Sequence, residues 1–124
     1  MSYFLDTSAL VKIYHAEPGW EVMDCIYVGS ESIGVAILTL LEFRSAMTRR
    51  LRTGTIDGDT FDVAVEQFEK DVNGRYEIFS FSDRIVEDAI HFLDRSGLQM
   101  QLRSLDALQF AFYQAHGAPD SIFV

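Results

Sequence analysis

Hydrophobic residues recur along this chain at two spacings. Short apolar runs alternate with longer stretches in which apolar side chains return every three or four residues. Tyr3 to Asp6 is a run of the first kind ending in an acid, and from Thr7 onward Ala9, Leu10, Ile13 and Tyr14 fall at helical spacing. The AEPG stretch at 16–19 breaks that helix, and Pro18 suits the first turn of a second, with Val22, Met23 and Ile26 on one face. After the turn-like GSES, Ile33 to Leu38 predicts a second strand, and Thr39 is placed to cap a helix from about Leu40 to Arg52, closed by Gly54. Asp57 caps the next helix, which carries Phe61, Ala64, Val65, Phe68 and Val72 and ends at Gly74. Tyr76 to Phe81 predicts a third strand. Ser82 caps a helix with Ile85, Val86, Ala89, Ile90 and Leu93 on one stripe, closed by Gly97. Ser104 starts a last helix, about Leu105 to His116, apolar nearly all round, and Ser121 to Val124 is a final strand fragment.

Short apolar strands alternating with helices predict the α/β class, with a mostly parallel sheet covered on both faces. A length of 124 residues suits one domain spanning 1–124, with a single core. Apolar residues make up 48% of the chain and ten Phe and five Tyr are spread through it, so a disordered protein is excluded. The N-terminus has no secretory pattern, and Glu42 interrupts the apolar stretch VAILTLLEF far short of a membrane span. A soluble, cytoplasmic protein with no membrane partner is expected. Cys25 is the only cysteine, and its apolar setting VMDCIY predicts a buried thiol.

In an open parallel sheet the carboxyl ends of the strands and the starts of the following helices share one edge, where ligands bind. Asp6, Glu42 and Asp106 all map to that edge. Singly, each has a modest explanation: Asp6 caps the helix at Thr7, Glu42 completes a T-x-x-E capping box with Thr39, and Asp106 complements a helix dipole. Together they suggest more. Three carboxylates within roughly 4 Å repel by about 4 kcal/mol per pair at an effective dielectric of ~20, so a proton or a cation must join them. An oxygen-only donor set favours Mg²⁺ or Mn²⁺ over zinc, because His15, His91 and His116 lack paired ligand spacing and read as surface or packing residues.

A net charge of −9 weighs against a polyanionic partner, yet four of the ten basic residues crowd into Arg44 to Arg52. Arg49 follows Glu42 by seven residues and therefore leaves nearly the same helix face two turns on, in reach of a phosphate backbone. Lys12 and Arg49 also read as members of a solvated basic face. Thr7 and Ser8 stand at a helix start, a natural anion site and equally a natural cap.

The opening YFLDTSALVKIYHAEPG resembles that of the PIN-domain family, particularly the toxins of VapBC-type toxin–antitoxin pairs. LTLLEFRSA and LRSLDALQFAFYQAHG are similar to its second and third acidic blocks. The resemblance implies a three-layer α/β/α sandwich, a frequent homodimer, and Mg²⁺- or Mn²⁺-dependent endonucleolytic cleavage of RNA restrained by a cognate antitoxin. By position, Asp6, Glu42 and Asp106 correspond to the family's metal-binding and catalytic acids and Ser8 to the hydroxyl beside the first. Family members follow the last strand with Thr or Ser, one residue and a fourth Asp. This chain stops at Val124 just after SIFV, which reads as truncation, and Asp120 precedes the strand and is no substitute. The rival expectation is therefore a catalytically impaired member that binds an antitoxin or RNA without cleaving. A response-regulator phosphoacceptor fits poorly, since it wants an acidic pair near the first strand and a Lys after the last. A haloacid dehalogenase-like phosphatase wants a second Asp two residues after Asp6, where Ser8 stands.

Overall fold

The computed structural model describes residues 1–116 and 121–124. In chain order its elements are β1 (Ser2–Leu5), α1 (Thr7–Tyr14), α2 (Trp20–Gly29), β2 (Ser32–Ala36), α3 (Ile37–Arg52), α4 (Gly58–Gly74), β3 (Tyr76–Phe79), α5 (Asp83–Met100), α6 (Ser104–His116) and β4 (Ile122–Phe123). The strands form one parallel sheet in the order β3-β2-β1-β4.

Strand alternation sorts the core into two layers. Leu5, Ile33 and Val35 face one side, where they join Leu10, Met23, Phe43, Met47 and Phe68 from α1 to α4. Phe4 and Ala36 face the other and join Ile85, Ala89 and Phe92 of α5 and Ala107, Ala111 and Phe112 of α6. Helices on both faces of a parallel sheet make the α/β/α sandwich. Gly34 lies between Phe4 and Phe79, whose rings stack at 5.9 Å; a Cβ there would come within 2.8 Å of Phe79, so the close ring packing requires a glycine.

Four local expectations are corrected. Helix α3 begins at Ile37, with Ala36 as its N-cap, so Ile37 and Leu38 are helical and Thr39 is a buried residue of the first turn rather than a cap. Burial of its hydroxyl among side chains from other elements wins over local capping. Gly97 lies inside α5, which runs on to Met100 and turns at Gln101 in the left-handed region (φ 47°). The buried stripe of α5 is Ile85, Ala89 and Phe92, leaving Val86 and Ile90 exposed. Cys25 is exposed: α2 buries only Met23, and a residue two positions on points about 200° away around the helix. Among the described residues no helix is long and apolar enough to cross a membrane.

Candidate active site at the carboxyl edge of the sheet

Asp6 follows β1 directly and is the N-cap of α1, its Oδ1 accepting from the Thr7 N–H at 2.6 Å. The Ser8 hydroxyl lies 3.5 Å from Oδ2. The capping reading of Asp6 and its placement at the sheet edge are thus both realised. Burial pushes the Asp6 carboxyl above its ordinary range. The neighbouring negative charges of Glu42 and Asp106 add to that rise, against the Thr7 and Ser8 hydrogen bonds that lower it.

Glu42 projects from the second turn of α3. No capping box holds it. Its Oε1 accepts from the Thr7 hydroxyl at 2.8 Å and from Gln109 Nε2 at 2.8 Å. Asp106 sits exposed in the first turn of α6, its Oδ2 accepting from the Arg103 N–H at 3.3 Å. Three acids from distant parts of the chain therefore open into one cleft of about 1070 Å³, lined also by Thr7, Ser8, Arg49 and Arg103. Asp120 falls outside the described residues. The end of β4 reaches the same edge, with the Val124 carbonyl accepting from the Asp6 N–H at 2.9 Å.

Arginines on the cleft wall divide into two groups. Arg44 pairs with Glu69 at 2.8 Å and Arg50 with Glu17 at 2.6 Å. Arg49, Arg52 and Arg103 make no ion pair among the described residues. The unpaired guanidiniums supply positive potential beside the carboxylates in a chain of net charge −9. Of the expected contacts, Ser8 and Arg49 open to the cleft, whereas the buried Thr7 spends its hydroxyl on Glu42 and Thr39 and its N–H on Asp6. Two residues of the site escape sequence reasoning. Arg103 had one signal, its place three residues before Asp106; Gln109 had another, as a polar position within a helix otherwise made of core residues.

The donor set suits a hard divalent cation, since all three acids offer oxygen and their mutual repulsion, expressed in Asp6, is what a cation relieves. Among the described residues, no group of three His, Cys, Asp or Glu side chains is drawn together at ligating distances. None of the three histidines lines the cleft; His116 instead stacks on Phe79 at 4.8 Å.

A parallel α/β/α sandwich with an acidic, arginine-walled cleft at the carboxyl edge of its sheet is the class that fold and site define. The chain belongs to the PIN domain family, whose sequence model matches residues 3–120. No curated protein sequence matches it. Among solved structures it is similar to VapC20 of Mycobacterium tuberculosis, a sarcin-ricin loop cleaving toxin, with 16% identity over 96% of this chain and 86% of that one and a TM-score of 0.74. It is also similar to VapBC2 from Rickettsia felis bound to a DNA fragment of its promoter, with 17% identity over 100% and 98% of the two chains and a TM-score of 0.63. A third likeness is to a toxin–antitoxin complex from Klebsiella pneumoniae, with 15% identity over 96% and 94% and a TM-score of 0.60. At these identities the likeness is one of fold.

Proposed function

We propose that this protein is a Mg²⁺- or Mn²⁺-dependent endoribonuclease, the toxin of a type II toxin–antitoxin pair. The observation that carries the reading is the meeting of Asp6, Glu42 and Asp106 in one arginine-walled cleft of a PIN-family chain. In this reading Asp6 and Asp106 hold the cation and Glu42 contributes to coordination or orients the attacking water. The chemistry a divalent cation supplies in such a site is Lewis-acid neutralisation of the scissile phosphate and acidification of water. Arg49 and Arg103, unpaired at the cleft wall, bind the phosphates on either side of the scissile bond. Ser8 donates to the phosphate, and the Thr7 hydroxyl supports Glu42.

The solved toxin–antitoxin complexes of the same fold support a cognate antitoxin as partner. Leu41 and Leu105, exposed on the cleft rim, offer an apolar segment of such a partner somewhere to pack. A homodimer, a cytoplasmic location and a single PIN-like domain belong to the same proposal. One observation favours the non-cleaving alternative: Asp106 is turned onto the Arg103 N–H, and the three acids do not close on one point.

The deciding experiment is cleavage of RNA by the purified protein in Mn²⁺. Cleavage that disappears with EDTA and in Asp6→Asn is the expected result. A folded wild-type protein that leaves RNA intact overturns the nuclease reading and leaves the binding module.

A further inference from the structure

Gln109 is 1% exposed, and its amide nitrogen lies within hydrogen-bond distance of three oxygens: Thr39 Oγ1 at 2.8 Å, Glu42 Oε1 at 2.8 Å and Thr7 Oγ1 at 3.3 Å. The hydroxyls of Thr7 and Thr39 are 3.1 Å apart, and Thr7 Oγ1 is 2.8 Å from Glu42 Oε1. Proton supply decides how this knot is wired. An amide nitrogen has two hydrogens, so the two short contacts, to Thr39 and Glu42, take them. Thr7 has one hydroxyl proton, and the charged acceptor Glu42 holds it more strongly than Thr39 does. Gln109 Oε1 is buried with no hydrogen-bond partner among the described residues.

That orphaned oxygen is informative. Turning the amide over would give Oε1 the donors it lacks from the threonines, but would set it 2.8 Å from Glu42 Oε1 as oxygen against oxygen. An unsatisfied buried carbonyl destabilises the fold, and a leucine or methionine at this position would avoid that cost altogether. The amide therefore fits a requirement of Glu42 rather than of the core. Both hydrogen bonds to Glu42 fall on Oε1, and Oε2 accepts none among the described residues.

We propose that Gln109 is a positioning residue. Anchored on Thr39 and joined by Thr7, it clamps Glu42 Oε1 and thereby presents Oε2 to the cleft. The inference rests on the reading of this cleft as a divalent-metal nuclease site, and its test separates the two. Gln109→Met keeps length and bulk but removes the donor.

In a crystal structure of this variant the Glu42 carboxylate is expected to leave its present position; Glu42 unmoved overturns the proposal whatever the protein's activity. Mn²⁺ titrated alone is expected to bind about tenfold more weakly to Gln109→Met, and kcat for RNA to fall about 10- to 100-fold with KM within twofold. In a Glu42→Gln background the same substitution is expected to change Mn²⁺ affinity by less than about twofold, because its target is gone. An equal loss in both backgrounds makes Gln109 merely structural. Thr39→Val, which removes the amide's anchor, is expected to move Glu42 and weaken Mn²⁺ in the same direction by a smaller factor, and provides the measurement if Gln109→Met fails to fold. A wild-type protein that cleaves no RNA defeats the nuclease reading alone, since the position of Glu42 still decides the role of Gln109.

Discussion

Two carboxylates, one buried and one half-buried, stand at opposite edges of the sheet, and their neighbours treat them differently. Asp71, near the end of α4 toward the amino edge, is 6% exposed and surrounded by donors. The Tyr14 hydroxyl donates at 2.6 Å, the Tyr27 hydroxyl reaches both carboxylate oxygens at 3.1 Å, and Gln67 Nε2 lies at 3.3 Å. Tyr76 joins the group through the Tyr14 hydroxyl. Burial pushes the Tyr14 and Tyr76 phenols well above their ordinary range, so both remain protonated donors. Asp6, at the carboxyl edge, has the Thr7 N–H and the Ser8 hydroxyl on its side and two other acids against it. A buried charge met by donors holds a fold together, whereas one left facing like charges is a place for a cation.

The largest effect expected from this contrast is at Asp71. Asp71→Ala takes the shared acceptor from Tyr14, Tyr27 and Gln67 and leaves the Tyr14 hydroxyl, half-buried beside Tyr76, without its charged partner; it should cost about 3 kcal/mol of unfolding free energy, measured by urea denaturation. A loss below 1 kcal/mol would mean that water replaces the carboxylate and that the tyrosines do not depend on it.

Asp6 should respond in the opposite sense. A carboxyl whose folded pKa is raised favours the folded state fully below its unfolded pKa, and that contribution is lost as pH rises through the folded pKa. At neutral pH the ionised group therefore opposes folding, and Asp6→Asn should melt a few degrees higher than the wild type while the two converge as pH falls below about 4. Millimolar Mn²⁺ should raise the wild-type melting temperature and leave that of Asp6→Asn nearly unmoved. A variant that melts lower at pH 7 would show that the charge of Asp6, at the start of α1, favours the fold more than burial and the neighbouring acids oppose it.

The two edges also differ in how far the sequence reveals them. The acids of the cleft are legible because each lies just past a strand or within the first two turns of a helix, and topology then gathers them without knowledge of side-chain contacts. The layers were legible because short, wholly apolar strands such as residues 3–5 and 33–36 alternate with helices, the pattern of a sheet covered on both faces. Thr39 misleads because a threonine before a helical run looks like a cap; its partner Gln109 lies 70 residues away. Nothing in the sequence singles out Asp71 except that it falls three residues after Phe68 and seven after Ala64, both buried, and so on their face. Cys25 misleads in the other direction, since apolar neighbours in sequence are not neighbours in space on a helix. What stays hidden is pairing between separate elements, which no local spacing encodes.

The smallest expected effect tests whether the arginine wall, rather than the acids, gives the cleft its hold on RNA. Arg44 and Arg49 are five residues apart on α3 and both line the cleft, but Arg44 is held by Glu69 while Arg49 has no ion pair among the described residues. A guanidinium already neutralised releases few counterions on meeting a phosphate, whereas a free one releases close to a full charge equivalent. With Mn²⁺ replaced by Ca²⁺ to suppress cleavage, Arg49→Ala should weaken RNA binding and reduce the slope of log K against log salt by about 0.7 for a single strand. Arg44→Ala should leave that slope nearly unchanged. If the two substitutions flatten it equally, the Glu69 pair opens when RNA arrives and the division between paired and free arginines carries no meaning for binding.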